Sequence, residues 1–324
     1  MNETRDPAIL AVLPHGCEVV SVNAHGIGSW STGYKVEVES EGKDLVYFLK
    51  IIRRPRHLEL AKGEYESQAE LLKYLPDNAA IPLAYGPLEL DSSASFFLTP
   101  FRNLSDKVPE PVQLAEVLEK LHKTSASPTG QFGFHTTTFN GIVPLVNECI
   151  RGPDPEMDEI AGEFFEKVIP RLLRPLQTGG RSIQPVLVHG DVWPGNVQID
   201  RDTQRVILFD SCCCYAHNEL DLGMMREPRY RFTGEHASKY LEAASPSQPE
   251  KDFDDRNAVY AMQVRDNIIN AGLHEHRAFL RQLVKEEMKR LIAKHPKGID
   301  GFEEVHRGHS QHSVFCHESA KGCI

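Results

Sequence analysis

The stretch Leu187–Asp210, LVHGDVWPGNVQIDRDTQRVILFD, decides the reading of this chain. Two short apolar runs, Pro185–Val188 and Val206–Phe209, read as strands or strand ends. A third, Val197–Ile199, faces Val206–Phe209 across the turn-rich Asp200–Gln204, as in a hairpin. Asp191, Asn196 and Asp210 stand at the ends of these segments, where a rigid scaffold displays its chemistry. The hairpin folds the chain back and lets Asp210 approach Asp191 and Asn196. Two carboxylates and an amide converging on one point form an oxygen-rich site suited to Mg²⁺ beside a hydroxyl nucleophile. Turn chemistry alone accounts for a lone Gly190-Asp191 or Gly195-Asn196. The ordered set His189, Gly190, Asp191, Asn196, then an apolar strand ending in Asp210, is far more specific.

This order matches a protein-kinase catalytic loop followed by its metal-binding Asp. There, one Asp orients or deprotonates the attacking hydroxyl, and the Asn and second Asp hold magnesium on the nucleotide phosphates. In this chain Asp191 takes the place of the base, and Asn196 and Asp210 those of the metal ligands.

Composition agrees with a globular enzyme. The chain has 324 residues, 40% hydrophobic and 25% charged, enough for two lobes with a sizeable core. No apolar run approaches the ~20 residues of a membrane span, and MNETRDPAIL does not read as a secretory signal. The seven cysteines include three in a row, Cys212 to Cys214, and no C-x-x-C pair. They read as reduced thiols of a cytoplasmic protein, with a zinc site among the C-terminal His and Cys residues as the lesser alternative. A net charge of −10 disfavours nucleic acid as a partner. An anionic nucleotide then needs local positive groups and a metal.

Val19–Val38 has β-like flanks around a Gly/Ser-rich centre. Gly28 and Ser29 sit in a turn whose backbone N–H groups can approach phosphates, although an ordinary hairpin explains it equally. Lys35–Ser40 and Leu45–Ile52 form a strand pair. Lys50, inside YFLKII, needs an anionic partner if buried. Leu58–Leu75 is helical, and its Glu64 is the expected partner, with a nucleotide phosphate as the second. Ser95–Phe101 is β-like and runs into a polar loop. Here Thr99, Phe101 and Arg102 are the candidates to meet an adenine edge, since Pro100 has no N–H.

Gln113–His122 is an amphipathic helix with a structural His122 at its end. Gln131–Phe139, aromatic and turn-rich, is a candidate pocket wall. Glu159–Val168 reads as a short helix ended by Pro170. Arg171, Arg174 and Arg181 read as a solvated face. Tyr215–Leu222 is expected to start a helix, with His217 and Glu219 facing the acceptor or capping, and Asp221 capping. Arg256–Ala271 and Arg277–Lys294 are long helices, the second with Phe279, Leu280, Leu283, Val284, Met288 and Leu291 on one stripe. The tail from His295 is expected to be mobile.

These motifs resemble those of the fructosamine/ketosamine-3-kinases, fungal protein-ribulosamine 3-kinase-like members in particular, within the superfamily of aminoglycoside phosphotransferases. LVHGDVWPGNV resembles the catalytic loop, with Trp193 two residues after the Asp. VILFDSCCCYAHNELDL resembles the metal-binding segment, FGFHTTTFNGIVPLVNE the segment after the first C-lobe helix, and YFLKII the phosphate-binding lysine strand. The resemblance implies an α/β (α+β), two-lobed protein-kinase-like fold: an N-lobe over 1–101 with an antiparallel sheet, a mainly helical C-lobe over 102–294, and a tail over 295–324. It implies ATP and Mg²⁺ as cofactors and phosphorylation of the 3-hydroxyl of protein-bound ribulosamine or fructosamine, which promotes deglycation. Trp193, His217 and Glu219 are the implied acceptor contacts.

Three departures stand out. The family continues after the Asn147-Glu148 position with a Trp/Phe-rich helix that walls the acceptor side, whereas here Cys149 and a proline-rich linker follow directly. The triple cysteine replaces smaller residues, and Pro100 replaces a frequent acidic one. The alternatives are a small-molecule phosphotransferase of the aminoglycoside or choline kinase type, and a catalytically impaired kinase-like binding protein.

Overall fold

Period-two apolar patterns build an antiparallel meander, β1 (Glu18–Ile27), β2 (Ser31–Ser40) and β3 (Lys43–Ile52). Val36 and Val38 on β2 and Leu49 and Ile51 on β3 bury one face of it. Glu41 and Gly42 both take positive φ, 53° and 75°, the tight turn whose twist suits the flanking strands. After α2 (His57–Tyr74), β4 (Ala84–Pro87) and β5 (Ser95–Pro100) complete a sheet of five strands in the order β1-β2-β3-β5-β4. The structure, a computed structural model, describes residues 3–28, 31–140, 143–144, 154–226, 231–270 and 277–302.

The second half is mainly helical. Short β6 (Leu104–Ser105) precedes α3 (Pro111–Thr124), whose Leu114, Leu118 and Leu121 are fully buried. β7 (Phe139–Asn140) and β8 (Val143–Pro144) pair, and α4 (Pro155–Glu163) follows. A π-helical turn, Phe164–Val168, then leads into α5 (Ile169–Leu173). The expected stop at Pro170 does not occur. Proline removes one helical donor, and the wider turn absorbs the defect: the Ile169 N–H reaches the Phe164 carbonyl.

β9 (Val186–Val188), β10 (Val197–Asp200), β11 (Val206–Leu208) and β12 (Cys214–Ala216) carry the central motif. β10 pairs antiparallel with β11, the hairpin read from sequence, and β6 extends that pair. Tyr215–Leu222 differs from expectation. Cys214–Ala216 is a strand because it pairs with β9, and a 3₁₀ segment, Asn218–Arg226, replaces the α-helix. Long-range pairing overrides local preference here.

α6 (Gly234–Ala243), α7 (Phe253–Asn270) and α8 (Arg277–Lys294) complete the fold. On α8, Leu280, Val284, Met288 and Leu291 are buried as read, but Phe279 is 64% exposed and lies off the stripe. Arg171 is no solvated residue: it is buried in a bidentate pair with Asp252 at 2.7 and 3.1 Å. Arg174 is exposed, and Arg181 donates to the Pro175 carbonyl at 2.6 Å. The start of the tail is anchored, with His295 2.9 Å from Asp255 and a 3₁₀ turn at Gly298–Gly301. Residues 303–324 lie outside the described residues.

The two halves are joined by more than the connecting chain. The Ala80 N–H donates to the Leu208 carbonyl at 3.0 Å, and the Leu208 N–H to Asn78 at 2.7 Å. Leu71, Leu75 and Ala79 enter the core of the helical half. Among the described residues no helix is long and apolar enough to cross a membrane.

Candidate active site

Asp191 follows β9 through a loop that only Gly190 fits. Its φ is 83°, and a Cβ there would lie 2.5 Å from the Cys212 carbonyl. His189 ties this loop to the β11 end. Its Nδ1 accepts from the Asp191 N–H at 3.2 Å, so Nε2 carries the proton donated to the Phe209 carbonyl at 3.1 Å. Burial holds this histidine below its ordinary range, in the neutral form that the bond pattern needs.

Asn196 comes from the start of β10. Its Nδ2 donates to the Asp191 Oδ2 at 2.9 Å, the Asp191 carbonyl at 3.1 Å and the Asp210 carbonyl at 3.3 Å. With the nitrogen so engaged, the amide oxygen is the atom left for another partner. Asp210 follows β11 with φ 54°, an unusual conformation for a residue with a side chain. Strain of this kind concentrates at functional positions. The Asp210 side chain is half exposed, and Lys50 occupies its Oδ1 at 2.7 Å.

Lys50 lies on β3 between two carboxylates, Glu64 of α2 at 2.8 Å and Asp210 at 2.7 Å. Burial works against the ammonium. The two nearby charges and their hydrogen bonds outweigh it and raise the Lys50 pKa above that of an ordinary lysine. The expectation that Glu64 faces Lys50 therefore matches the geometry. For Asp191, burial and the Asp210 charge push the carboxyl up to about 7, against hydrogen bonds from Asn140, Asn196 and Trp193. A carboxyl titrating near neutrality suits proton acceptance from a hydroxyl.

Of the other residues singled out in the sequence, some meet this cluster and some do not. The backbone N–H of the half-buried Trp193 donates to the Asp191 carbonyl at 3.1 Å, and its ring fills the space where a Gly195 Cβ would sit 2.2 Å away. Thr99 pairs opposite Phe48, two residues from Lys50 on the same strand face. The Phe101 N–H is spent on the Val46 carbonyl at 2.9 Å, and the Arg102 carbonyl accepts from Leu104 at 2.9 Å. The Arg102 side chain pairs with Asp200 at 3.2 Å. The Gly28 N–H donates to the Ser31 carbonyl at 3.0 Å. Ser29 and Trp30 lie outside the described residues, as do residues 145–153, where the shortened segment falls.

His217 and Glu219 stand apart from the cleft. His217 bonds the Tyr260 hydroxyl at 2.7 Å and the Ser247 hydroxyl at 2.8 Å. Glu219 has no exposed surface; Arg256 holds both its oxygens at 2.8 Å, and the Ser247 N–H donates to Oε1 at 2.8 Å. Their saturation inside the core corrects the expectation that they face the acceptor. Asp221 does cap, taking the His189 and Gly190 N–H groups at 2.9 and 2.8 Å, while His122 sits 3.1 Å away.

Sequence reading missed Gln68 and Asn140. Gln68 accepts from Ser211 at 3.0 Å and donates to the Leu208 carbonyl at 3.3 Å, pinning α2 to the chain around Asp210. Neither residue carries a local signal, because both act across long sequence separations.

The fold and this cluster define a kinase-like phosphotransferase. Within that class the chain is related to the fructosamine kinases, whose family model matches residues 157–290. It is 28% identical over 309 residues to the chloroplastic protein-ribulosamine 3-kinase of Oryza sativa subsp. japonica, covering 89% of this chain and 85% of that protein. A candidate fructosamine-3-kinase structure from Haemophilus somnus superposes with a TM-score of 0.61 at 14% identity, covering 85% of this chain and 92% of that one. A thermostable mutant of aminoglycoside phosphotransferase APH(4)-Ia, complexed with AMP-PNP and hygromycin B, gives 0.58 at 14% identity, with 88% and 97% covered. At such identities these two structures speak for the fold alone.

Proposed function

We propose that this protein is an ATP-dependent kinase that phosphorylates the 3-hydroxyl of ketosamines, ribulosamine or fructosamine on protein lysines or free amines, and so promotes their loss. The observation that carries the reading is the convergence of Asp191, Asn196 and Asp210 at one point, with Lys50 bridging Glu64 and Asp210. The relationship to a protein-ribulosamine 3-kinase supports the choice of acceptor.

In this reading residues 1–101 hold the nucleotide and 102–294 supply catalysis and acceptor binding. The base edge lies against the Pro100 carbonyl and Arg102 N–H, since Phe101 is engaged elsewhere. Lys50 places its charge on the phosphates, and the turn that begins at Gly28 lies beside them. Mg²⁺ fits the donor set: the Asn196 amide oxygen and the second Asp210 oxygen are hard ligands on residues joined by the Asn196 amide's bond to the Asp210 carbonyl at 3.3 Å. Among the described residues no group of three His, Cys, Asp or Glu is placed to hold a metal ion; Asn196 and Asp210 would hold it together with oxygens of the nucleotide substrate. The ion, when bound, neutralises charge on the transferring phosphoryl group. Asp191 orients the acceptor hydroxyl and accepts its proton, and Trp193 fixes the carboxylate while offering an apolar face to the sugar. We place the protein in a reducing, cytoplasmic setting on the strength of its three consecutive cysteines, which cannot all form good bridges.

The test is transfer from ATP, with Mg²⁺, to a ribulosamine- or fructosamine-bearing lysine. Phosphate on the 3-position, lost in Asp191→Asn while Mg-ATP still binds, is the expected result. Nucleotide binding without transfer to either adduct overturns the acceptor assignment.

A further inference from the structure

The chain around Asp210 is held from two sides. From the catalytic loop, Asn196 donates to the Asp210 carbonyl at 3.3 Å, and His189 Nε2 donates to the Phe209 carbonyl at 3.1 Å. The other side is α2. Gln68 has no exposed surface there. Its Nε2 donates to the Leu208 carbonyl at 3.3 Å, and its Oε1 accepts from the Ser211 hydroxyl at 3.0 Å. A carbonyl can meet only the NH₂ end of the amide, so the orientation of this glutamine is fixed. The residue before it, Ser67, accepts from the Cys213 N–H at 3.0 Å. Gln68 thus grips the chain on both sides of Asp210. The Leu208 carbonyl is already met by the Ala80 N–H at 3.0 Å, so the end of β11 is satisfied without the glutamine. A leucine would fill much the same volume without the cost of burying an amide.

We propose that Gln68 is a positioning residue for the metal ion: by gripping Leu208 and Ser211 it holds Asp210 in its left-handed conformation, so that one carboxylate oxygen stays on Lys50 and the other is kept for Mg²⁺. This rests on Asp210 being a metal ligand of the proposed kinase. The φ of Asp210 is 54°, and such a conformation persists where the surroundings over-determine it. Gln68 supplies that constraint through a closed ring. Asp210 Oδ1 meets Lys50 at 2.7 Å, and Lys50 meets Glu64 at 2.8 Å. Gln68 stands four residues after Glu64, one turn along α2 on the same face, and returns to the residues flanking Asp210. The helix therefore fixes the side chain of Asp210 through Lys50 and its backbone through Gln68. With the backbone free to relax, the carboxylate would follow Lys50 alone.

Isothermal titration of ATP, with and without Mg²⁺, into Gln68→Leu, Ser211→Ala and the double variant tests this, with Tm measured alongside. Groups that orient a metal ligand are worth about 10- to 100-fold in metal affinity. Gln68→Leu is expected to weaken binding about tenfold when the ion is present and to leave binding without it unchanged. Ser211→Ala, which removes one arm of the grip and little volume, should shift binding in the same direction. The single leucine variant strands the Ser211 hydroxyl and lowers Tm. The double variant replaces both partners by apolar groups, so its Tm should return towards wild type while the Mg²⁺-dependent weakening stays. A purely structural glutamine predicts that binding recovers together with Tm. That recovery, or an equal loss with and without the ion, overturns the proposal. Asp210→Ala separates the two assignments. If it binds Mg-ATP as wild type does, the metal assignment fails and the role of Gln68 falls with it. If it is impaired while Gln68→Leu is not, the positioning role alone is refuted.

Discussion

The Lys50 ammonium donates to Asp210 Oδ1 at 2.7 Å, a contact between residues 160 positions apart that joins the sheet to the hairpin. The same nitrogen reaches Glu64 at 2.8 Å. One charge thus sets the spacing of three elements, β3, α2 and the loop after β11. Lys50→Met leaves the largely buried Glu64 carboxylate and the half-exposed Asp210 carboxylate without their shared cation. We expect Mg-ATP affinity to fall by at least tenfold and kcat by about 10²–10³, as for other charge clamps on transferred phosphate. Isothermal titration with Mg-ATP together with kcat checks this, and wild-type values for both would remove Lys50 from the site.

Asp210→Ala is expected to weaken nucleotide binding only when magnesium is present. Titrating ATP with and without the ion separates the two contributions. An equal loss in both conditions points to a repulsion or packing effect instead of a lost metal ligand.

Glu219→Gln separates the structural and acceptor roles of that residue. The Arg256 guanidinium is wholly buried against it, and breaking such a pair costs about 3–5 kcal/mol. We expect a marked drop in Tm and, in the folded fraction, an unchanged KM for the acceptor. A raised acceptor KM at unchanged Tm would falsify the structural assignment.

The His217 imidazole gives a pH signature. Burial, with the Arg256 and His122 charges adding and Glu219 opposing, pulls its pKa down to about 4 from 6.5. The unfolded chain therefore binds the proton first as pH falls. The stability this neutral histidine contributes is complete above about pH 6.5 and is lost as pH drops through 4, on the order of 3 kcal/mol over the range. Denaturant melts of wild type and His217→Gln between pH 7 and 4.5 should converge as pH falls. Parallel curves argue against it.

Asp221→Ala removes the acceptor for two backbone N–H groups and the partner of His122 at once. Loss of several kcal/mol of stability is expected. Because those amides belong to His189 and Gly190, the residual folded enzyme should also show a lower kcat. A stable, fully active variant would show that the loop holds its shape unaided.

Much of this site was legible from residue order. Strand-end Asp191 and Asp210 bracket a hairpin whose apolar runs announce it, and Lys50 inside YFLKII demands an anion. Asn140 and Gln68 were not legible, since an amide in a loop and one on a helix carry no sign of what lies across the fold. His217 and Glu219 misled for the same reason: a His-x-Glu beside a catalytic segment reads alike whether it faces a cleft or a core. Arg256, which consumes both Glu219 oxygens, lies on α7, a different element.

The sequence by itself determined the β2–β3 and β10–β11 hairpins, the order of the catalytic groups and the apolar stripe of α8, because periodicity and turn chemistry are local. Only the tertiary structure decided that Cys214–Ala216 is a strand, that Pro170 does not end its helix, and that Arg171 and Glu219 belong to the interior. Three of these depend on a partner distant in the chain, β9 for Cys214–Ala216, Asp252 for Arg171 and Arg256 for Glu219, while at Pro170 the Phe164–Val168 π-turn accommodates the missing donor. A buried charge or an unpaired strand is stable only where such a partner is delivered, and folding, not local sequence, delivers it.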